Sequence, residues 1–208
     1  MIDILTANEV NYLALYTGTQ EVFGVDTELN EAHAMRTLID KEVINKNNLP
    51  EKDAVMIVEL IRRYNNANYY IHFQNFVIAI LDDKWCVVKR IQEGIEKTYR
   101  FGLSAIEGAF RIMFAHPLIA SEILDNKQLL KDSYLLIELF DKEKIIKSNL
   151  AITYQEETYY KLDDQLQKSD KLDDCNIVEW LQHNLHHDYI NKLNETMEGI
   201  HNERKNHS

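Results

Sequence analysis

The spacing of apolar residues along the chain switches between a helical period and a strand period, and the switches divide the sequence into blocks. From Thr6 the period is helical: Val10, Leu13 and Ala14 fall on one face, with Tyr12 and Tyr16 four apart beside it. Thr6 and Glu9 make a Thr-x-x-Glu capping box at the start, and Gly18 stands where such a helix stops. A second helix is expected from Glu28 to about Val43, with Ala32, Met35, Leu38 and Ile39 as its apolar face and His33 half-buried or at the surface. After the polar run Asn45 to Asn48, Pro50 suits the first turn of a third helix, whose face is Ala54, Ile57, Val58 and Ile61. Arg62 and Arg63 close it at the end where cations complement the helix dipole.

The period then shortens to two. Tyr69 to Phe73 reads as a strand, and Phe76 to Leu103 as a three-stranded meander: an apolar run, an Asp-Lys turn, a β-branched run, a break and a Tyr-bearing run. Ser104 and Glu107 form a second capping box for a helix on Ile106, Ala109, Phe110 and Met113, which ends near Ala115, before Pro117. Ile119, Ile123, Leu124 and Leu130 suggest another helix between Leu118 and about Leu130.

Tyr134 to Leu162 then repeats the grammar of the first meander. Leu81 aligns with Leu139, Asp83-Lys84 with Asp141-Lys142, Val87-Val88 with Ile145-Ile146, Lys89 with Lys147, and Thr98-Tyr99 with Thr158-Tyr159. The repeat predicts a single domain, residues 1–208, of two related halves (about 1–115 and 116–208). Two independent hairpins that share only alternation and turn residues are the alternative. The acidic stretch Asp163 to Asp174 has no apolar period and is expected to be mobile. Beyond it Ile177, Val178, Leu181, Leu185, Tyr189, Leu193, Met197 and Ile200 step by three or four, which predicts one helix of roughly 25 residues and nearly 40 Å. The expected fold is α+β: a central antiparallel sheet from two pseudo-two-fold related three-stranded meanders, with N-terminal helices and a long C-terminal helix.

Composition narrows the function classes. The 208 residues carry 34 acidic against 23 basic side chains, a net charge of −11, which opposes binding to nucleic acid through phosphate contacts and suits a protein or cationic partner. Cys86 and Cys175 lie far apart and form no Cys-x-x-Cys motif, the usage of reduced thiols in a cytosolic protein. No apolar run approaches the roughly 18 residues of a membrane span, and Met1-Ile2-Asp3 opens without a basic region, so no membrane insertion and a cytoplasmic location are expected.

Catalytic signatures are missing from the sequence. It contains no glycine-rich phosphate loop, no Gly-x-Ser-x-Gly elbow and no zinc-protease or EF-hand pattern. His183 and His187, four apart with His186 between them and Asp188 next, could reach one divalent metal, but a solvated polar helix face explains them more simply, and no metal site is assigned. The pairs Asp82-Asp83, Asp163-Asp164 and Asp173-Asp174 read as turn chemistry rather than acid-base pairs. Trp85 follows the first Asp-Lys turn, where the second meander has Glu143, so the meander itself does not demand an aromatic there. Two readings stay open for it: an anchor for a partner's apolar helix tip, or inward packing on a helix.

The opening LTANEVNYLALYTG, the stretch VINKNNLPEKDAVMIVELIRRY, the two related meanders and the long C-terminal helix together resemble the EspG-like substrate chaperones of type VII (ESX) secretion, in particular the staphylococcal EsaE (EssE) type of accessory protein. The resemblance spans essentially the whole chain and rests on segment order rather than on a sharp motif. It implies a non-enzymatic cytosolic chaperone without cofactor, which holds a secreted helical substrate protein and delivers it to the membrane secretion ATPase, where it would sit peripherally. Family members grip a helical hairpin tip with a loop of the sheet and the C-terminal helical part. On this chain that implies Asp83, Lys84 and Trp85 in the first meander, and Leu185 and Tyr189 near the C-terminus. The acidic insertion departs from the family pattern. An acidic immunity protein that neutralises a basic toxin domain shares the same charge, size and lack of catalytic groups. A small metal-dependent enzyme built on the His183 cluster is the third reading.

Overall fold

The computed structural model describes residues 4–27, 29–115, 133–154, 158–162, 165–168, 174–185 and 187–207. In chain order the elements are β1 (Leu5–Thr6), α1 (Ala7–Leu15), α2 (Glu31–Asp40), α3 (Lys52–Asn65), β2 (Tyr69–Phe73), β3 (Phe76–Ile80), β4 (Trp85–Gln92), β5 (Thr98–Ala105) and α4 (Ile106–Phe114). They continue with β6 (Ser133–Asp141), β7 (Ile146–Tyr154), β8 (Thr158–Leu162), β9 (Gln165–Lys168), α5 (Asp174–Asn184) and α6 (His187–His207). The predicted helix between Leu118 and Leu130 lies outside the described residues.

All the strands join one antiparallel sheet in the order β1-β5-β4-β3-β2-β6-β7-β8-β9, so the fold is α+β as the sequence pattern predicts. The two meanders, β3-β4-β5 and β6-β7-β8, spread outward on either side of β2. Because β3 and β6 both pair antiparallel with β2, they run parallel to each other. An axis that relates the meanders must therefore lie in the sheet along β2, and such an axis exchanges the two faces. The side chains agree: the alignment that sets Leu81 against Leu139 sets Ala79 against Ile137, and these two pack on opposite faces.

Each face carries its own core, since alternate residues of a strand point to opposite sides. Tyr70, Val77, Ala79 and Val87 face α1 to α3, where Val10, Leu13, Leu38 and Ile61 complete a buried cluster. Ile71, Phe73, Ile78, Ile137 and Leu139 face α4 to α6, against Phe110, Trp180, Leu181 and Leu193. The strand β2 supplies both clusters. Its His72 Nδ1 lies 2.9 Å from Glu138 Oε2, directly opposite on β6, which ties the first meander's side of the sheet to the second.

The caps show how sequence becomes local structure. Thr6 Oγ1 accepts from the Glu9 amide at 3.4 Å while Glu9 Oε2 accepts from the Thr6 amide at 2.9 Å, the reciprocal box read from the sequence. Buried Glu9 also takes Lys41 Nζ at 2.7 Å, which pins the end of α2 to the start of α1. Gly18 follows α1 at φ +78°, the left-handed region that suits glycine.

Four expectations are corrected. Ser104 does not cap α4: it is paired with Cys86 within β5, the strand runs on to Ala105, and the cap position has no side-chain bond. The helix α2 starts only after Asn30, which caps the His33 amide at 3.1 Å, and the residues it buries are Ala34 and Leu38, with Ala32 and Met35 exposed. The acidic insertion contains a strand, β9, which adds to β8 at the sheet edge. Finally, the long C-terminal helix is two helices that part at Leu185. Gln182 Nε2 donates to Asn194 Oδ1 at 2.9 Å, whereas twelve residues of continuous helix would hold them about 18 Å apart. The bend brings Trp180 and Leu181 of α5 and Tyr189 and Leu193 of α6 into the same buried cluster.

Candidate functional site

The β3–β4 turn is built by Asp82. Its Oδ1 accepts from the Lys84 amide at 2.8 Å and the Trp85 amide at 2.7 Å, so the carboxylate substitutes for a backbone acceptor. In the second meander Asp141 Oδ1 does the same for the amides of Glu143 and Ile145, at 2.9 and 3.0 Å. The functional equivalent of Asp141 is thus Asp82, one position from the alignment read in sequence, and Asp83 is left exposed at the tip.

Asp83 opens onto a cleft of about 580 Å³ at this end of the sheet, lined by Asn68, Leu81, Asp82, Asp83, Tyr189, Asn191 and Glu195. Asn68 sits in its wall and donates from Nδ2 to Leu81 O at 2.9 Å and to Tyr189 Oη at 3.3 Å. Three carboxylates and two amides make the cleft suited to a cationic or donor-rich group. The structure therefore brings together Asp83 and Tyr189, which lie more than a hundred residues apart in the chain.

The remaining expected site residues are placed differently. Leu185 is 6 % exposed and Tyr189 is 7 % exposed, both within the core under α4 to α6. Tyr189 packs edge-on against Tyr69, ring centroids 5.8 Å apart, and what it offers the cleft is its hydroxyl end. Leu185 offers no docking surface. Lys84 is exposed at the turn. Trp85 is 46 % exposed, so the inward-packing reading is not what the structure shows. It pairs with Ala105, and Val87 pairs with Leu103, which sets Trp85 and Leu103 diagonally on the face of α1 to α3. Leu103 is also 46 % exposed, so the two form a small apolar patch on the other side of the sheet from Tyr189.

The histidines are separated by the helix break. His183 ends α5 with Nδ1 2.7 Å from Glu179 O, whereas His187 begins α6, so their four-residue spacing no longer stacks them on one helix face. Among the described residues no group of three His, Cys, Asp or Glu side chains could hold a metal ion. Cys86 is free and buried, its thiol pushed up to about 12 chiefly by burial, with Asp82 adding to the shift. A thiol so far from its thiolate is a poor nucleophile.

Two features escaped the sequence reading. Lys89, paired there with Lys147 as a mere repeat match, is fully buried with Nζ 2.6 Å from both Phe23 O and Gly24 O. The signal was available, because a lysine between Val88 and Ile91 on the inward parity of β4 must be buried with partners. Gly24 is required opposite it: its φ is +65°, and a Cβ there would meet Lys89 Nζ at 2.7 Å. Trp180 donates from Nε1 to Ser148 Oγ at 2.7 Å and pins α5 to β7, a tertiary pairing that no local pattern announces.

Residues 1–132 match the family described as Domain of unknown function (DUF5081). The chain belongs to this family. The matched region takes in α1 to α3, the first meander and α4, and stops at the threshold of β6, so it contains Asp82, Asp83, Trp85 and Leu103 but not the α6 wall of the cleft. The family description assigns no activity, and no curated protein matches the chain. Among the described residues no helix is long and apolar enough to cross a membrane.

Proposed function

We propose that this member of the DUF5081 family is a non-catalytic chaperone or adaptor, which holds a helical substrate protein of a type VII secretion system and presents it to the membrane secretion ATPase from the cytoplasm. The observation that carries the proposal is the exposed pair Trp85 and Leu103 beside the acidic β3–β4 turn. Half-exposed tryptophan costs solvation, and in the register set by the Asp82 and Asp141 turns the second meander has Lys144 in its place, so the fold does not require an aromatic there. A helix tip with an apolar side chain would cover Trp85 and Leu103. Its flanking basic residues would face Asp82 and Asp83 at the adjoining turn. The segment resemblance to EspG-like chaperones points to the same kind of partner.

Co-purification from the native host with the exported helical proteins, followed by titration with the helical region of the one recovered, tests the proposal. Trp85→Ala should weaken that complex by about tenfold or more, since an interface tryptophan commonly supplies roughly 2 kcal/mol or more, and should leave the melting temperature nearly unchanged. Unaltered affinity in Trp85→Ala, or unaltered export of every type VII substrate in a deletion strain, would overturn it. The acidic cleft also suits the basic toxin domain of an immunity pair. In that case the recovered partner would be a toxic domain whose activity this chain abolishes, and export would not depend on the chain.

A further inference from the structure

Trp85 is exposed at its side chain and fastened at its backbone. Its amide donates to Asp82 Oδ1 at 2.7 Å, its carbonyl accepts from the Leu81 amide at 3.1 Å, and it pairs with Ala105 of β5. The residue before it is held as well. The Lys84 amide donates to the same Asp82 oxygen at 2.8 Å, and the Lys84 carbonyl accepts from the amide of Ile106, the first residue of α4, at 3.0 Å. The second meander uses the same carboxylate with one residue more. There Asp141 Oδ1 accepts from the amides two and four positions on, Glu143 and Ile145, and the residue between them, Lys144, stands at φ +62°. In the first meander the second amide comes from the third position on, and that position is already the first residue of β4. A left-handed backbone is costly for bulky side chains, and the shorter Asp82 turn spares Trp85 that conformation.

We infer that Asp82 is the positioning residue of the partner-binding surface, acting as a hydrogen-bond acceptor that holds Trp85 ready for contact more than as a charge that attracts the partner. An aromatic anchor whose backbone is already fixed loses less freedom on binding than one on a loose turn, so the same contact yields more affinity. The two neighbouring carboxylates thereby divide the work. Asp82 spends one oxygen on two amides, while Asp83, exposed at the tip, is left to meet basic residues. The inference rests on the chaperone reading for its partner and on the two Asp82 bonds for its mechanism, and both Asp82 and Trp85 lie within the matched family region.

The test is calorimetric titration of the whole protein with the helical segment of the exported protein that co-purifies with it, for the wild type, Trp85→Ala, Asp82→Ala, Asp82→Asn and the double variant Asp82→Ala/Trp85→Ala. Amide hydrogen exchange of the free proteins runs alongside. Both substituted residues are exposed, and circular dichroism verifies that each variant folds. Asp82→Ala should bind about tenfold more weakly, and Asp82→Asn, whose side-chain carbonyl still accepts, should return to within about threefold of the wild type. In the Trp85→Ala background the Asp82→Ala loss should vanish, because a residue that acts through Trp85 then has nothing to position. In the free protein the Lys84 and Trp85 amides should exchange faster in Asp82→Ala than in Asp82→Asn. Wild-type affinity in Asp82→Ala, an Asp82→Asn variant as weak as Asp82→Ala, additive losses in the double variant, or equal exchange of the two amides in both Asp82 variants would overturn the positioning role. Wild-type affinity in Trp85→Ala is the distinct result that overturns the chaperone reading and takes the inference with it.

Discussion

Lys89 joins a strand, a loop and two aromatic rings. Its amine lies 5.3 Å from the Tyr64 ring centroid and 5.8 Å from that of Tyr99, besides its two carbonyl acceptors in the 22–26 loop. Tyr64 Oη donates to the same Phe23 carbonyl at 3.0 Å, so one loop is fastened to β4 and α3 together. Burial lowers the Lys89 amine from 10.5 to about 7, against a smaller upward pull from Asp26. Between those two values the unfolded chain holds the proton and the folded chain releases it. Stability therefore rises with pH across that window, and the cost of burial is fully present below pH 7. Relative to Lys89→Met, the wild type should gain about 2 kcal/mol of unfolding free energy between pH 7 and pH 9. Denaturant titrations of both proteins at the two pH values check this, and parallel pH profiles would show that Lys89 stays charged when buried.

At the level of elements, local chemistry sets where each begins and tertiary contact sets how far it runs. The helix α1 is specified by its box, and Thr6→Ala should cost about 1 kcal/mol in urea unfolding, with Thr6→Ser close to wild type. A loss in the serine variant equal to that in the alanine variant would mean that the methyl group's packing, not the hydroxyl, matters. Arg62 and Arg63 at the end of α3 do more than meet the dipole: both bond Glu59, at 2.7 and 2.8 Å, and these bonds hold its carboxyl down to about 2. The C-terminal segment shows the opposite case. Its apolar spacing fits one continuous helix, yet the bend at Leu185 and the Gln182–Asn194 bond fold it back onto the sheet.

At the level of the whole molecule, two buried clusters share a single sheet, and β2 stands in both. Loss of either cluster strips one side of the same strands, so the two should melt together. The two tryptophans report on opposite faces: Trp180 of α5 is buried in the cluster of α4 to α6, and Trp85 lies on the face of α1 to α3. In Trp85→Phe the fluorescence of Trp180 should follow the same transition as far-UV circular dichroism, and in Trp180→Phe the fluorescence of Trp85 should do so. Midpoints that separate within either protein would show that one face unfolds alone.

The sequence by itself determined the elements whose causes are local. The Thr6–Glu9 box, the stop at Gly18 and the alternation of the β strands are decided within a few residues, and these stand in the structure as read. The same holds for the α+β class and for the pairing of strands within each meander, because a short turn leaves neighbouring runs little other choice. Only the tertiary structure decided what depends on distant partners. The insertion of β2 between the meanders, the burial of Lys89 beneath the 22–26 loop and the break at Leu185 each follow from contacts between segments remote in sequence. The cleft that unites Asp83 with Tyr189 belongs to the same class. Periodicity states which face of an element is apolar, but the partner of that face, and so the length and direction the element finally takes, is set by the packing of the whole sheet.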